Sequence, residues 1–300
     1  MTLYSQAEGN IRKTWALLFI FLLFIIGAGW LFSEFLENSA ILIDAVVFSI
    51  LLSFFSYWYS DRMVLALTKA YPLKKEENFE LYRLVENLSL ASGIPLPKIY
   101  IINEAQPNAF ATGRDEKHAV LALTKGLLEK LERAELEGVI AHELSHIKNK
   151  DMLLQTIVVI LAGIVALISH WFLRISLFGG LGRRDSRDSG GAIFLIIGFL
   201  VAILAPLGAT LLRLAISRKR EFLADASGAL LTKYPEGLAR ALEKIANDPA
   251  PMKVASNATA HLFIASPFRG QEKTNWLTKL FLTHPPVKER IRTLREMDIS

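Results

Sequence analysis

The chain has 300 residues, with 34 Lys and Arg against 29 Asp and Glu, so its net charge is +5. Apolar residues make up 52% and charged residues only 21%, which excludes an intrinsically disordered chain and exceeds the apolar share of an average soluble domain. The absence of cysteine excludes disulfides, thiolate metal ligands and a cysteine nucleophile.

Two apolar segments open the chain. Residues 14–33 carry no charged side chain, and a helix of that length crosses about 30 Å of hydrocarbon. Residues 41–59 are the second candidate span; Asp44 lies near the start, where we expect it at the interface, and Trp58 and Tyr59 at the end suit an aromatic belt. A signal peptide is the alternative for the first segment, but the segment is too long and no cleavage site follows it.

A second apolar pair interrupts the middle of the chain. Residues 152–173 and 192–212 contain no Asp, Glu, Lys or Arg, and both are long enough to span a membrane. His170 lies near the end of the first of these segments, where we expect its side chain to reach the interface. A Gly-, Ser- and Arg-rich loop, residues 179–191, joins them. The sequence therefore predicts a second membrane hairpin.

Basic residues orient these spans. Arg12 and Lys13 precede the first span, and Arg62 and Lys69 follow the second, whereas the loop between the two spans has no Lys or Arg. The positive-inside rule then places the N-terminus and the segment after residue 60 in the cytoplasm. The arginines of the 179–191 loop disagree with this pattern, so partial insertion of the second hairpin stays open beside full crossing.

The polar segment after residue 60 has the pattern of a small α+β domain. Leu81, Leu84, Val85 and Leu88 at helical spacing predict a helix over residues 76–91. Strand-like runs follow at residues 98–102, 108–112 and 118–123, with His118 as a polar residue of the third run. A longer amphipathic pattern then predicts a helix over residues 128–150.

The amphipathic helix carries the motif His142-Glu143-Leu144-Ser145-His146. Histidines four residues apart lie one turn apart on the same helix face, so both imidazoles can reach one ion, with Glu143 beside it. This spacing suits tetrahedral zinc with an open position. The alternative is a pair of surface histidines on a helix that packs by its other face.

A catalytic zinc site requires a third protein ligand. The best-placed candidate is Glu221, and Asp225 follows it at i+4 on a predicted helix, where it can accept a hydrogen bond from a ligand histidine. The alternative is a charged turn beside a membrane span, in which Arg218, Lys219 and Arg220 anchor the chain at the cytoplasmic surface.

Four segments together resemble a known family. They are the 142–146 motif, the Arg-Glu-Phe-Leu-Ala-Asp run at 220–225, the Asn-Ala-Phe-Ala-Thr-Gly run at 108–113 and Thr-His-Pro-Pro at 283–286. With their order and the apolar pairs between them, they are similar to the HtpX family of membrane-bound zinc endopeptidases, which is related to the CAAX prenyl endopeptidases.

The resemblance implies one zinc ion per chain, held by His142, His146 and Glu221, with Glu143 as general base. It also implies a multi-pass protein of the bacterial or archaeal cytoplasmic membrane that degrades damaged or misassembled membrane proteins. Partners would then be unfolded or membrane polypeptides and the lipid bilayer, and no nucleic acid.

Two further sites are predicted with open alternatives. His284 precedes two prolines that restrict the backbone, and either donates to the developing oxyanion or caps a helix. The 108–112 strand is either an ordinary hairpin strand or an edge strand to which an extended substrate peptide adds. Its residues are Asn108, Ala109, Phe110, Ala111 and Thr112. His261 lies in a segment to which the sequence gives no structure.

The predicted fold class is an α-helical integral membrane protein with a cytoplasmic, zincin-like α+β metalloprotease domain. Residues 1–60 are predicted to form the first hairpin, 61–151 the first part of the catalytic domain, 152–212 the second hairpin and 213–300 the part of the catalytic domain with the third ligand.

Two other functions compete with this prediction: a membrane transporter or regulator that binds a metal without proteolysis, and a catalytically inactive scaffold. A transporter would be expected to carry polar residues within several spans, and an inactive scaffold would be expected to have lost Glu143. The sequence has neither feature. Natural substrates and oligomeric state are open.

Overall fold

The computed structural model describes residues 3–35, 38–161, 163–165, 218–254, 259–265 and 285–298. The helices are α1 (Leu3–Phe35), α2 (Ala40–Trp58), α3 (Ser60–Leu67), α4 (Phe79–Ser92), α5 (Lys125–Lys130), α6 (Arg133–Lys148), α7 (Asp151–Val165), α8 (Arg218–Thr232), α9 (Pro235–Asn247) and α10 (Val287–Arg295). The strands are β1 (Tyr71–Pro72), β2 (Lys98–Ile102), β3 (Ala109–Thr112) and β4 (Val120–Thr124).

Helices α1 and α2 form a hairpin. Residues 8–30 of α1 and all of α2 are long and apolar enough to cross a membrane. Trp15 stacks on Tyr57 with ring centroids 5.4 Å apart, and Gly29 lies against Ala45, where a Cβ on the glycine would overlap the alanine side chain. These two contacts at opposite ends make the helices antiparallel.

Much of the apolar surface of this hairpin is exposed. At least one side of each helix presents large apolar side chains that are about half exposed: Trp15, Phe19, Ile20, Leu23, Trp30, Ile43, Val47, Phe48, Ile50, Leu51, Phe54 and Phe55. An exposed apolar surface of this extent marks a site of membrane or protein contact.

Helix α7 begins the predicted second hairpin and packs on the first. Leu154 and Ile157 of α7 are buried in one apolar cluster with Leu17 and Phe21 of α1. The rest of the predicted 152–173 span, the 179–191 loop and the 192–212 span lie outside the described residues.

The sheet forms the centre of the soluble part. Its strand order is β1-β2-β4-β3, with β2 and β4 parallel and the two outer pairs antiparallel. Strands β3 and β4 are buried on both faces because α4 and α6 cover one face of the sheet through Ile99 and Leu121, while Val64 of α3 packs with Phe110 on the other. Both faces being covered explains the nearly continuous apolar runs of β3 and β4.

Local sequence signals set most helix ends. Helix α4 begins after Asn78, whose side chain accepts a hydrogen bond from the Leu81 backbone N–H, and ends at Gly93, which takes a left-handed conformation with φ +74°. The predicted 76–91 helix therefore starts three residues later than expected.

Two sequence predictions were wrong in detail. The single helix predicted over 128–150 is two helices, because Glu132 and Glu135 form a capping box that starts α6 after a break at Leu131. The strand predicted from His118 begins at Val120 instead, because Asp115 accepts a hydrogen bond from the His118 backbone N–H and closes a 3₁₀ turn. Strand β1 was not predicted.

Candidate metal centre

Helices α6 and α8 approach closely enough to place their polar faces together. The contact is at Gly228 of α8, where a Cβ would lie only 2.9 Å from the His142 backbone nitrogen. A glycine is required here because any larger residue would separate the helices. Since α8 carries both Glu221 and Asp225, this contact brings their carboxylates to the two histidines of α6.

His142, His146 and Glu221 converge on one point, and all three are buried. The two Nε2 atoms are 3.2 Å apart, the His146 Nε2 is 3.6 Å from a Glu221 carboxylate oxygen, and the His142 Nε2 is 3.9 Å from the other oxygen. Ligands of a tetrahedral zinc ion with bonds of about 2.0–2.1 Å lie roughly 3.3 Å apart. The spacing of this donor set therefore fits zinc.

The opposite nitrogen of each imidazole faces a carboxylate. The His142 Nδ1 is 2.9 Å from Asp225, and the His146 Nδ1 is 3.1 Å from Asp151. Histidines that bind metals commonly have such partners, which fix the ring orientation and favour the tautomer with a free Nε2 lone pair. Asp151 was not singled out by the sequence analysis, although it follows His146 by only five residues.

Arg290 of α10 is the largest fully buried side chain in the described chain. Its guanidinium donates two hydrogen bonds to Asp225, at 2.8 Å and 2.6 Å, lies 3.8 Å from Glu221, and donates to the Ile264 carbonyl at 2.9 Å. Arg290 thus joins the two acidic residues of α8 to the C-terminal helix, and no sequence motif predicted this role.

A second buried arginine departs from the surface-anchor alternative at residue 220, although Arg218 and Lys219 are exposed. Arg220 is only 5% exposed, and its Nε lies 3.6 Å from Asp151. The Asn10 side chain, on α1, donates to the same aspartate at 2.6 Å and to the Asn149 carbonyl at 3.3 Å. The first apolar helix therefore contacts the carboxylate that holds His146.

We expect Asn10→Ala to weaken zinc binding by about tenfold, because loss of a residue that supports a metal ligand typically costs 10–100-fold in affinity. The change frees Asp151 to leave His146. Zinc affinity is measured by competition with a chromophoric chelator. Thr14→Val is the control, since the Thr14 hydroxyl bonds only to the Asn10 backbone carbonyl of its own helix among the contacts described. Equal affinity for Asn10→Ala and the unsubstituted chain would contradict a supporting role.

Burial and neighbouring charges give the two histidines very different pKa values. Burial lowers the pKa of His142 to about 4 despite Asp225, so this imidazole is neutral at pH 7. Burial also lowers the pKa of His146, but the carboxylates of Asp151, Glu221 and Glu143 outweigh it and raise the pKa to about 9. Without a metal ion, His146 therefore holds a proton at neutral pH.

The net charge of the buried groups favours binding of a divalent cation. Four carboxylates surround the described site, those of Glu143, Asp151, Glu221 and Asp225, against the two guanidinium groups of Arg220 and Arg290. With neutral imidazoles, the formal charge is therefore −2. Because uncompensated buried charge is costly, a divalent cation suits this cluster, and protonation of His146 compensates part of it when no ion is bound.

Glu143 lies beside this cluster and against strand β3. Its side chain is 2% exposed and accepts a hydrogen bond from the Ala111 backbone N–H. Burial, together with the negative charge of Glu221, raises the pKa of Glu143 to about 7. A carboxyl group with a pKa near the working pH can both accept and donate a proton.

Strand β3 is an edge strand of the described sheet, and part of its edge is already occupied. The register with β4 turns the backbone groups of Ala109 and Ala111 away from the sheet. Ile264 donates to the Ala109 carbonyl at 3.0 Å, and the Asn108 side chain donates to the Ala265 carbonyl at 2.9 Å. The predicted peptide-binding edge, residues 108–112, is thereby narrowed to its Ala111 end.

The remaining predicted residues are placed as follows. His284 and His170 lie outside the described residues. His261 is in a 3₁₀ turn, Ala260–Leu262, of whose histidine side chain nothing is described. Asp44 is exposed in the first part of α2, and His118 contacts Arg114 and Asp115.

Comparisons with known proteins define the class. Residues 75–298 match Peptidase family M48, and the chain therefore belongs to this family of metallopeptidases. Within it, the chain is 45% identical over 302 residues to the Protease HtpX homolog of Caldanaerobacter subterraneus subsp. tengcongensis, with 99% of each chain covered. It is 47% identical to the Protease HtpX homolog of Thermococcus kodakarensis, with 95% of each covered.

The fold is also that of a solved structure. The crystal structure of S. mikatae Ste24p superposes with a TM-score of 0.50 at 20% identity, covering 97% of this chain and 67% of that one. The resemblance drawn from the sequence motifs is confirmed: the chain is an HtpX-like membrane metalloprotease, a hydrolase of peptide bonds.

Proposed function

We propose that the chain is a zinc endopeptidase embedded in the cytoplasmic membrane, with His142, His146 and Glu221 as the metal ligands and Glu143 as the general base. The observation that carries the proposal is the convergence of the three buried ligand atoms, all within 4.8 Å of one another, with the Glu143 carboxyl group on the same helix. The M48 match supports peptide-bond cleavage as the reaction.

Zinc, when bound here, supplies a Lewis acid that polarises the scissile carbonyl and activates water at neutral pH. Asp225 and Asp151 orient the two imidazoles, and Arg290 keeps Asp225 ionised: burial raises the pKa of this carboxyl group, but the guanidinium outweighs it and lowers the pKa to about 2. Asp225 is therefore ionised at every physiological pH and can hold the His142 imidazole through its Nδ1.

Glu143 moves the proton. Its pKa of about 7 lets it accept a proton from the attacking water and deliver it to the leaving amine. The Ala111 N–H holds the carboxyl group between β3 and α6, so that the proton carrier lies beside the ligand cluster. In the proposed mechanism the nucleophile is a water molecule, and no side chain forms a covalent bond with the substrate.

The substrate is proposed to bind as an extended strand at the Ala111 end of β3, with the outward-facing Ala111 carbonyl as its acceptor, because the Ala111 N–H already donates to Glu143. Main-chain hydrogen bonds give affinity with little dependence on side chains, which suits unfolded polypeptides. The segment Phe263–Ala265 limits how far the peptide extends toward Asn108, since it already occupies that end. His284, as an oxyanion donor, remains a prediction.

Membrane residence rests on the exposed apolar hairpin. Helices α1 and α2 expose more contiguous apolar surface than soluble monomers usually present. Basic residues flank this surface on one side. We therefore propose hairpins at residues 1–60 and 152–212, with the catalytic parts, 61–151 and 213–300, facing the cytoplasm. Damaged or misfolded membrane proteins are the proposed substrates.

Zinc uptake by the metal-free protein at pH 7 is expected to release about one proton from His146, with a further fraction from Glu143. The sign follows from the pKa of His146, which is raised from 6.5 to about 9: the imidazole is protonated below that pH and must become neutral to bind metal. Zinc affinity should therefore rise with pH up to about 9. Calorimetry in buffers of different ionisation enthalpy counts the protons.

Asp151→Asn is the informative variant for this measurement, because removing the charge that raises the pKa of His146 should reduce the number of protons released. A count near zero in the unsubstituted protein would contradict the proposed protonation state.

The function is tested by proteolysis of an unfolded protein such as casein, with the purified full-length chain. Cleavage should stop with a chelator and return with zinc. A transporter or regulator that binds metal would bind zinc equally well and leave casein intact in every condition. Persistent cleavage after complete zinc removal would contradict metal dependence.

A further inference from the structure

A second cleft lies where the hairpin meets the sheet, apart from the metal centre. It has a cavity volume of about 480 Å³ and opens at the C-terminal end of α2. One wall is aromatic, formed by Trp58 and Tyr59. Basic side chains, Arg62, Lys98 and Arg114, face this wall.

Two arginines are fixed on the aromatic wall. The guanidinium carbon of Arg114 lies 4.7 Å from the centroid of the Trp58 ring, and that of Arg62 lies 5.4 Å from the Tyr59 ring centroid. Stacking of this kind orders a guanidinium group. Arg114 also donates to the Trp58 carbonyl at 3.4 Å, and because a guanidinium carries five N–H donors, it can still donate to a ligand. Arg114 also lies 2.7 Å from His118, which helps to fix its direction.

The charge of the cleft favours an anion. Asp61 also lines the cleft, and Asp115 lies 3.4 Å from Arg114. Three basic groups against these two acids leave a formal charge of +1 with His118 neutral. Arginine groups match the geometry of phosphate oxygens.

The position of the cleft selects the kind of anion. Trp58 and Tyr59 end the apolar helix α2, at the depth where aromatic side chains meet lipid headgroups. Basic pockets beside membrane helices at this depth bind the headgroups of acidic lipids. Phe54, one turn earlier on α2, extends the wall toward the hydrocarbon.

We propose that this cleft binds the phosphate headgroup of one anionic phospholipid, with Arg62, Lys98 and Arg114 on the phosphate and the aromatic wall against the glycerol backbone. The proposal rests on the membrane placement given under Proposed function but not on the metal centre. The bound lipid would fix the soluble part relative to the bilayer surface.

Native mass spectrometry of the full-length chain in detergent tests the proposal, with phosphatidylglycerol and phosphatidylcholine added separately. The unsubstituted chain should retain one phosphatidylglycerol about tenfold more tightly than phosphatidylcholine, since each basic group near an anionic headgroup contributes measurably. Arg62→Gln with Lys98→Gln should reduce retention to the phosphatidylcholine level. Arg62→Lys with Lys98→Arg should restore it.

The matched control is Lys74→Gln with Arg83→Gln, which removes one Lys and one Arg that are exposed and do not line the cleft. This variant should retain phosphatidylglycerol as the unsubstituted chain does. Equal loss in both double variants would overturn the site in favour of a general charge effect. Displacement of the lipid by millimolar inorganic phosphate would overturn the lipid assignment in favour of a free-phosphate site.

The outcome is separable from that of the protease proposal because lipid retention is read without turnover. Absence of bound phosphatidylglycerol on the unsubstituted chain would contradict the cleft site and leave the protease proposal unaffected. Retention that is unaffected by the cleft substitutions would contradict the cleft alone.

Discussion

Glu143→Gln is expected to lower kcat for casein cleavage by about 10²–10⁴-fold, the usual contribution of a general base. The amide cannot accept the proton from water, but it has nearly the same size as the carboxyl group and can still face the Ala111 N–H through its oxygen. Zinc content should therefore remain at one ion per chain. Initial rates and elemental analysis of the same preparation measure both quantities.

Glu137→Gln provides the matched control on the same helix. Glu137 is partly exposed, and its carboxylate pairs with Arg133 at 3.2 Å, away from the ligand cluster. We expect this variant to cleave casein at the unsubstituted rate. Full activity in Glu143→Gln would contradict the general-base role, and loss of zinc from it would mean that Glu143 is a ligand rather than a proton carrier.

Arg290→Gln is expected to lower the free energy of unfolding by about 3–5 kcal/mol, because removing one partner of a buried ion pair leaves the other charge uncompensated. Asp225 and Glu221 would both lose their cationic neighbour. For a protein of this size the loss corresponds to roughly 5–8 °C in Tm. Thermal unfolding in detergent, with and without saturating zinc, measures the shift.

Arg292→Gln is the control because Arg292 lies on the same helix but is 72% exposed, where an ion pair contributes about 0–1 kcal/mol. Arg290→Lys keeps the charge but cannot donate both hydrogen bonds to Asp225 in the same geometry. Its Tm should therefore lie between those of Arg290→Gln and Arg292→Gln. Equal Tm for Arg290→Gln and Arg292→Gln would show that the buried arginine does not stabilise the site.

The cluster of His142, His146 and Glu221 could be predicted because the spacing of its residues along the sequence sets which of them share a helix face. Two histidines at i and i+4 must share a helix face, and the same spacing relates Glu221 to Asp225. The strand at residues 98–102 was predicted with its observed bounds, since short β-branched runs between turn residues allow few alternatives.

The surrounding network depends on tertiary packing that no local pattern encodes. Arg290 lies in an ordinary basic helix, and its burial follows from how α10 packs on α8. Asn10 and Asp151 are separated by 141 positions, and only the contact between α1 and α7 brings them together. The sequence did contain one indication of the role of Asp151, because an acidic residue beside an apolar span requires a hydrogen-bonding or charged partner.

The same reasoning applies to Arg220 and to the helix start at Glu132. Three consecutive basic residues beside an apolar segment favour a surface anchor, but the helical rotation of α8 turns Arg220 inward, toward Asp151. At Glu132, the amphipathic pattern continues across the break, so only the capping geometry reveals that a new helix starts.

The contact between α1 and Asp151 gives the membrane hairpin a role beyond anchoring. Asn10 reaches the carboxylate that faces His146, so a residue of the N-terminal helix belongs to the hydrogen-bond network of the proposed metal centre. A chain that lacks this helix would keep all three ligands and the general base but lose one support of His146.

The most direct measurement of the central proposal is anomalous X-ray diffraction at the zinc absorption edge from crystals of an active preparation. We expect one strong peak per chain, bounded by the Nε2 atoms of His142 and His146 and the carboxylate of Glu221. An active preparation with its zinc peak elsewhere, or with no zinc peak, would contradict this site as the centre of catalysis.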